Sequence, residues 1–170
     1  IRKNHLAFVC HGREEQEAYA QCVFYDRVAY VPESRPKPIV VTRKEAKQYL
    51  SLKENEFVFL SFGINHPHKN YEVIFQAVKD LPKNIRLLFI GKIQSGGVDN
   101  NDPMILAEKY GLMGNTNVVN RFIPEEEKRY YFCASDALIL SYCKGFSQQS
   151  GNLVDACQYS LPVIATDDKQ

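Results

Sequence analysis

The chain has 170 residues, of which 45% are apolar and 24% are charged, and its formal net charge is +1. This composition predicts about one globular domain with room for part of a second, and it argues against disordered or collagen-like sequence. With 21 basic against 20 acidic residues and no basic stripe, we expect no nucleic-acid partner.

No apolar run approaches the roughly 20 residues of a membrane-spanning helix, because Ser61 and Gly63 interrupt the longest one. The five cysteines contain no Cys-x-x-Cys pair, a pattern that favours reduced thiols in a cytoplasmic protein over disulfides or a zinc site. The sequence begins at Ile1 without a recognisable signal peptide, and we expect it to be a piece of a longer polypeptide.

The first part of the chain is predicted to form a strand, a helix and a second strand, over residues 6–10, 13–22 and 27–31. Three prolines then fall within seven residues, at positions 32, 36 and 38. Proline has no amide donor and favours an extended residue before it, so this segment predicts a linker at a domain boundary. Residues 1–38 and 39–170 are therefore predicted to belong to different domains.

After this linker, Thr42 and Glu45 form a capping-box pattern before a short helix that ends near Leu50. Strand-like and helix-like segments then alternate. The predicted strands cover residues 57–60, 86–90, 117–120, 137–140 and 162–165, and the predicted helices cover 71–81, 104–110, a segment starting at Pro124, and 150–159. This alternation is typical of an α/β fold with a doubly wound parallel sheet.

The loop at residues 61–70 lies between a buried strand and an amphipathic helix, where open parallel sheets bind ligands. Gly63 allows a close backbone turn, and Lys69 lies just before the helix, which together predict a phosphate site. The alternative is a solvent-exposed lysine. His66 and His68 have no carboxylate cluster beside them, so we expect no metal.

The loop at residues 142–152 also runs from a strand into a helix. Ser150 is a natural N-cap, and Gly151 leaves the first-turn amides uncrowded, so these amides, the serine hydroxyl and the Gln149 side chain could hold an anion. An ordinary cap after a polar loop is the alternative.

A third loop carries Arg121 at the end of the strand at 117–120. Its guanidinium could pair with phosphate, stack on a base or lie at the surface, and the residues alone favour the surface. The sequence has no Gly-x-Ser-x-Gly, P-loop or Gly-x-Gly-x-x-Gly motif, so hydrolase and dinucleotide-binding functions lack their usual pattern. No catalytic residue is assigned.

An ordered set of segments within residues 57–166 resembles the donor-binding domain of family 4 glycosyltransferases of the GT-B type. These segments are Phe-Leu-Ser-Phe-Gly at 59–63, His-Lys-Asn at 68–70, Asn-Arg-Phe-Ile-Pro-Glu-Glu-Glu at 120–127, Ser-Asp-Ala-Leu-Ile-Leu-Ser-Tyr at 135–142, Gln-Ser-Gly at 149–151 and Leu-Pro-Val-Ile-Ala-Thr at 161–166. The resemblance implies a Rossmann-like GT-B C-terminal domain that binds a nucleotide-sugar donor at the carboxyl edge of its sheet.

Carried over by position, the resemblance assigns the donor phosphates or sugar to five residues: Gly63, Lys69, Gln149, Ser150 and Gly151. It makes Arg121 and Asp155 candidates for contacting the nucleoside. It also implies that residues 1–38 hold the end of an acceptor domain and the interdomain linker, and that the donor domain at 39–170 is incomplete at its C-terminus.

The whole enzyme implied by the resemblance transfers a sugar from a nucleotide diphosphate sugar to a glycan or lipid-linked acceptor. It would be retaining, independent of metal and cofactors, active in polysaccharide biosynthesis, and peripherally associated with the membrane. The acceptor would be bound by the missing domain, and we expect the 170-residue piece alone to be inactive.

Two departures from the family pattern leave other functions open. Ile64 stands where many members have arginine, and the usual Glu-x₇-Glu pair is absent, with Lys144 near the first position and Asp155 near the second. The alternatives are a non-catalytic α/β nucleotide-binding module and a GT-B sugar-nucleotide epimerase.

Overall fold

The computed structural model describes residues 8–22, 28–32, 35–93, 101–144 and 150–167. The strands are β1 (Phe8–Cys10), β2 (Val28–Tyr30), β3 (Phe57–Phe62), β4 (Ile85–Ile90), β5 (Thr116–Val119), β6 (Ala137–Leu140) and β7 (Val163–Ala165). The helices are α1 (Arg13–Cys22), α2 (Arg43–Tyr49), α3 (Tyr71–Val78), α4 (Pro103–Lys109), α5 (Glu125–Ala134) and α6 (Gly151–Gln158), with a 3₁₀ turn at Met113–Asn115.

Strands β1 and β2 form a small parallel pair, and the other five form a parallel sheet in the order β5-β4-β3-β6-β7. The chain builds outward from β3 to β5, and then crosses back to place β6 on the other side of β3. This arrangement confirms the predicted α/β, doubly wound parallel sheet. Its switch point lies between the carboxyl ends of β3 and β6, where such sheets bind ligands.

The sheet is buried on both faces, which explains why its strands are nearly continuous apolar runs. Val58 and Leu60 of β3 belong to an apolar cluster with Phe132 of α5, while Leu87 of β4 belongs to a second cluster with Phe75 of α3. All five of these side chains are almost fully buried. The two clusters fix the helices against the sheet and so determine where the strand ends lie.

The local signals around the helices are largely confirmed. The Thr42 side chain accepts the Glu45 amide at 3.2 Å, and the Glu45 carboxylate accepts the Thr42 amide at 2.9 Å, so the predicted capping box is present. Pro124 is the N-cap of α5 instead of a first-turn residue. Helix α3 ends at Val78, three residues before the predicted end.

The proline-rich segment is held against the last helix. The Gln158 side-chain amide of α6 donates to the carbonyls of Arg35 at 3.0 Å and Pro36 at 2.8 Å. The linker is therefore attached at residues 35–36 to the helix that follows β6. The assignment of residues 1–38 and 39–170 to different domains stays a prediction.

Candidate functional site

Two glycines shape the ends of β3 and β4. Gly63 has a φ of +91° and donates its amide to the Ile90 carbonyl at 2.9 Å. Gly91 has a φ of +137°, and a Cβ built on it would lie 2.2 Å from the Gly63 carbonyl oxygen. Since only glycine tolerates both the φ values and this approach, the two loops can turn over the edge of the sheet side by side.

The Lys69 side chain is buried at the end of β3, although the residue lies in a loop. Its side chain folds back so that Nζ donates to the Phe62 carbonyl at 2.6 Å, and the residue is only 6% exposed. Burial lowers its pKa from 10.5 to about 8. The amine is therefore mostly protonated at neutral pH, and the site contains a desolvated positive charge.

The loops after β3 and β6 are hydrogen-bonded to each other. The Asn70 amide donates to the Ser141 carbonyl at 2.6 Å, and the Cys143 amide donates to the His68 carbonyl at 2.7 Å. These bonds flank Lys69, which forms an isolated antiparallel bridge with Tyr142. The two loops that the sequence marked separately thus form one site at the switch point.

The start of α6 completes this site. Ser150 is the N-cap residue, as predicted, and its hydroxyl lies 2.8 Å from the Tyr142 hydroxyl and bonds no amide of the first turn. Gly151 is the first helical residue, and the Asn152 side-chain amide donates to the Phe62 carbonyl at 2.8 Å. The Phe62 carbonyl therefore accepts hydrogen bonds from both Lys69 and Asn152, which lies in the first turn of α6.

The structure brings together four of the five residues assigned to the donor phosphates or sugar: Gly63, Lys69, Ser150 and Gly151. Gln149 lies outside the described residues. The Leu153 amide donates to the Ser150 carbonyl at 3.0 Å. The first amides of a helix generally lack intrahelical acceptors, and the positive end of the helix dipole favours an anion. A buried ammonium beside this helix start can hold a phosphate group, although the assigned binding roles stay predictions.

The two nucleoside candidates lie in ion pairs. Arg121 is about half exposed, and it contacts the Glu127 carboxylate and donates to the Phe122 carbonyl at 3.1 Å. Asp155 is 3% exposed. Its carboxylate lies 2.8 Å from Lys128 Nζ of α5 and 3.6 Å from Arg35 Nε of the linker. Each of these charges has an internal partner, and their nucleoside roles stay predictions.

Sequence reasoning missed Asn152 and Tyr142 as site residues. The only sequence feature that pointed to Asn152 was its amide side chain next to Gly151, in the first turn of a predicted helix. Its partner, Phe62, lies 90 residues earlier, and no local pattern indicates that contact.

Ile64, at the position where many family members have arginine, is 63% exposed.

The histidines of this loop stack on one another. The rings of His66 and His68 have centroids 4.1 Å apart, and burial, followed by the charges of His66 and Lys69, lowers the pKa of His68. Within the described parts of the chain, no three His, Cys, Asp or Glu residues are grouped so that they could hold a metal ion.

The sequence profile of the family described as "Glycosyl transferases group 1" matches residues 42–170. This match covers well over half of the chain and all five strands of the large sheet. The chain belongs to this family. A search of curated proteins found no match to the sequence.

Solved glycosyltransferase structures share the fold of this group 1 domain. Sucrose-phosphate synthase from Thermosynechococcus elongatus aligns over 92% of this chain and 39% of its own, with a TM-score of 0.74 and 22% identity. Anabaena Alr3699/HepE in complex with UDP and glucose aligns over 94% and 44%, with a TM-score of 0.76 and 16% identity. WaaG, a glycosyltransferase involved in lipopolysaccharide biosynthesis, aligns over 98% and 46%, with a TM-score of 0.77 and 19% identity.

At these identities the similarity establishes the fold. The group 1 chain spans less than half the length of each of these three proteins. Among the described residues, no helix has the length and apolar character needed to cross a bilayer.

Proposed function

We propose that this chain is the donor-binding part of a glycosyltransferase that transfers a sugar from a nucleotide diphosphate sugar to a glycan or lipid-linked acceptor. The observation that carries this proposal is the convergence of the buried Lys69 ammonium and the start of α6 at the Phe62 carbonyl. Together with the family membership, this supports a site for the donor diphosphate at the carboxyl edge of β3 and β6.

The chemical contribution of this site is electrostatic. When the bond between the sugar and the diphosphate breaks, negative charge grows on the leaving phosphate oxygens. A desolvated ammonium and preorganised amides stabilise that charge more strongly than water does. Lys69 would supply the ammonium, and Ser150 and Gly151 would place the first-turn amides of α6.

The finer features of the reaction are part of the same proposal. We propose transfer with retention of configuration, as the family resemblance implies. We also propose that no metal or cofactor is needed, because protein groups would stabilise the leaving diphosphate. Alr3699/HepE, which shares the fold, was solved with UDP and with UDP-glucose, which supports a nucleotide-sugar donor. WaaG acts in lipopolysaccharide biosynthesis, which supports a glycan or lipid-linked acceptor and a role in polysaccharide biosynthesis.

The whole protein would act in the cytoplasm, with peripheral association to the membrane where a lipid-linked acceptor requires it. A second domain would bind the acceptor. The 170-residue chain would bind the donor without transferring its sugar, since it spans less than half of the similar enzymes.

A non-catalytic nucleotide-binding module is the second candidate, and two observations favour it. Ile64 places an exposed apolar side chain where many members have a cation, and the carboxylate of Asp155 lies in a buried ion pair with Lys128. This candidate binds nucleotides but gives no product in the full-length protein. Product analysis of the full-length protein also separates a transferase from a sugar-nucleotide epimerase.

Thermal shift and calorimetry with UDP, GDP and ADP test the proposal. Any ligand that binds only the native state raises its melting temperature, and we expect one of these diphosphates to do so. Replacing Lys69 by methionine removes the charge but keeps the length of the side chain, and should abolish most of the binding. The matched control is Lys79→Met, because Lys79 is half exposed at the opposite end of α3.

Two results would contradict the proposal. One is the absence of a melting shift with all three diphosphates. The other is equal affinity of the wild type and Lys69→Met.

A further inference from the structure

The Phe62 carbonyl accepts hydrogen bonds from two side chains that come from different loops. Lys69 Nζ donates at 2.6 Å and Asn152 Nδ2 donates at 2.8 Å. A carbonyl oxygen has two lone pairs, so both of its acceptor positions are used. The last residue of β3 is thereby tied to the loop that follows it and to the first turn of α6.

The two donors lie side by side above Gly63. A Cβ built on this glycine would lie 3.3 Å from Asn152 Nδ2 and 3.5 Å from Lys69 Nζ. The ammonium and the amide thus lie close together, where a side-chain carbon at position 63 would contact both of them. A displacement of α6 would change the position of the amide relative to the ammonium.

The chemistry of an amide suits this position. A carboxylate here would pair with the ammonium and would repel a phosphate. An aliphatic side chain could not donate to the Phe62 carbonyl, which would then depend on Lys69 for its side-chain hydrogen bond. Asparagine donates a hydrogen bond and adds no charge. The charge of the ammonium is therefore not neutralised by residue 152 and can attract an anion, while the amide remains hydrogen-bonded to the carbonyl.

We propose that Asn152 is a positioning residue for the donor diphosphate. This inference rests on the function proposed above. Its bond to Phe62 fixes the start of α6 relative to Lys69, so that the helix amides and the ammonium are spaced for one diphosphate. When the ammonium turns its hydrogens towards phosphate oxygens, Asn152 still holds the Phe62 carbonyl in place.

The test measures binding of UDP and inorganic pyrophosphate to the 170-residue chain by calorimetry. Asn152→Leu removes the donor and keeps the branching of the side chain, and we expect both affinities to fall about tenfold, the usual effect of losing one hydrogen bond. Asn84→Leu is the matched control, because its amide also donates to a backbone carbonyl, that of Asn55, and lies before β4 at the opposite edge of the sheet. The control should bind both ligands as the wild type does.

A second variant keeps the test decisive if Asn152→Leu folds poorly. Asn152→Asp has the same shape, and its carboxylate should raise the pKa of Lys69. Pyrophosphate binding should become weaker, while its loss at alkaline pH should move to higher pH than in the wild type. An unchanged pH dependence would contradict the close approach of residue 152 to the Lys69 ammonium, on which the positioning role depends.

The outcomes separate this inference from the proposed function. If the wild type binds UDP and pyrophosphate and the Asn152 variants bind them with the same affinity and pH dependence, the positioning role is wrong and the proposed function stands. If the wild type binds neither ligand, the proposed function fails and the inference fails with it.

Discussion

Replacing Lys69 by methionine should separate the stability of this domain from its binding of diphosphates. Lys69 is 6% exposed, and burial lowers its pKa from 10.5 to about 8. The unfolded chain therefore holds this proton more tightly than the native protein does. That difference corresponds to about 3 kcal/mol of lost stability wherever the lysine is protonated in both states.

Methionine also removes the hydrogen bond from Nζ to the Phe62 carbonyl. A hydrogen bond contributes about 0.5–1.5 kcal/mol net to stability. Asn152 continues to donate to the same carbonyl in the variant, so the oxygen keeps a partner. We therefore expect the free energy of unfolding of Lys69→Met to exceed that of the wild type by about 2 kcal/mol at pH 7, because removing the desolvated charge outweighs the lost hydrogen bond.

The sign of the pH dependence distinguishes this explanation from a simple loss of contacts. Between about pH 8 and 10.5 the unfolded chain binds the lysine proton and the native protein does not, so wild-type stability rises with pH over this window. Lys69→Met lacks this contribution. Between pH 7 and pH 10, the free energy of unfolding of the wild type should rise by about 2–3 kcal/mol relative to that of the variant.

Urea unfolding at pH 7, 8, 9 and 10 measures this difference directly, because other titrating groups cancel between the two proteins. In parallel, calorimetry with UDP should show that the variant has lost most of its affinity at pH 7. Stability curves that run parallel from pH 7 to pH 10 would refute the reasoning, since Lys69 would then not be desolvated in the native protein.

Three further predictions concern the support of the site. Gly91→Ala should lower the free energy of unfolding by at least about 3 kcal/mol in urea, because its Cβ would meet the Gly63 carbonyl at 2.2 Å and a φ of +137° disfavours alanine; an unchanged midpoint would contradict this. Lys128→Met should cost about 3 kcal/mol by leaving the Asp155 carboxylate buried without its close partner, and adding Asp155→Asn should recover much of that loss. Arg121→Gln should leave the melting temperature unchanged but weaken UDP binding more than pyrophosphate binding, and equal weakening of both would exclude a nucleoside contact.

The fold class can be predicted from the sequence, because the periodicity that defines it is local. The apolar run at 57–60 and the amphipathic helix beginning at Tyr71 each indicate their own element, and their alternation implies a parallel sheet. The capping box of Thr42 and Glu45 is equally local, since its two partners are three residues apart. Lys69 and Gly151 could also be identified, because each lies where a predicted loop enters a helix.

Which of these groups come into contact depends on long-range packing. The order in which strands pair depends on burying apolar faces of the whole chain, and no short segment specifies that β6 lies beside β3. That pairing brings Asn152 to the Phe62 carbonyl, and it is accompanied by the burial of Lys69, which lowers the pKa of the amine. The same long-range packing buries Asp155 against Lys128, a contact between two helices that local sequence does not reveal.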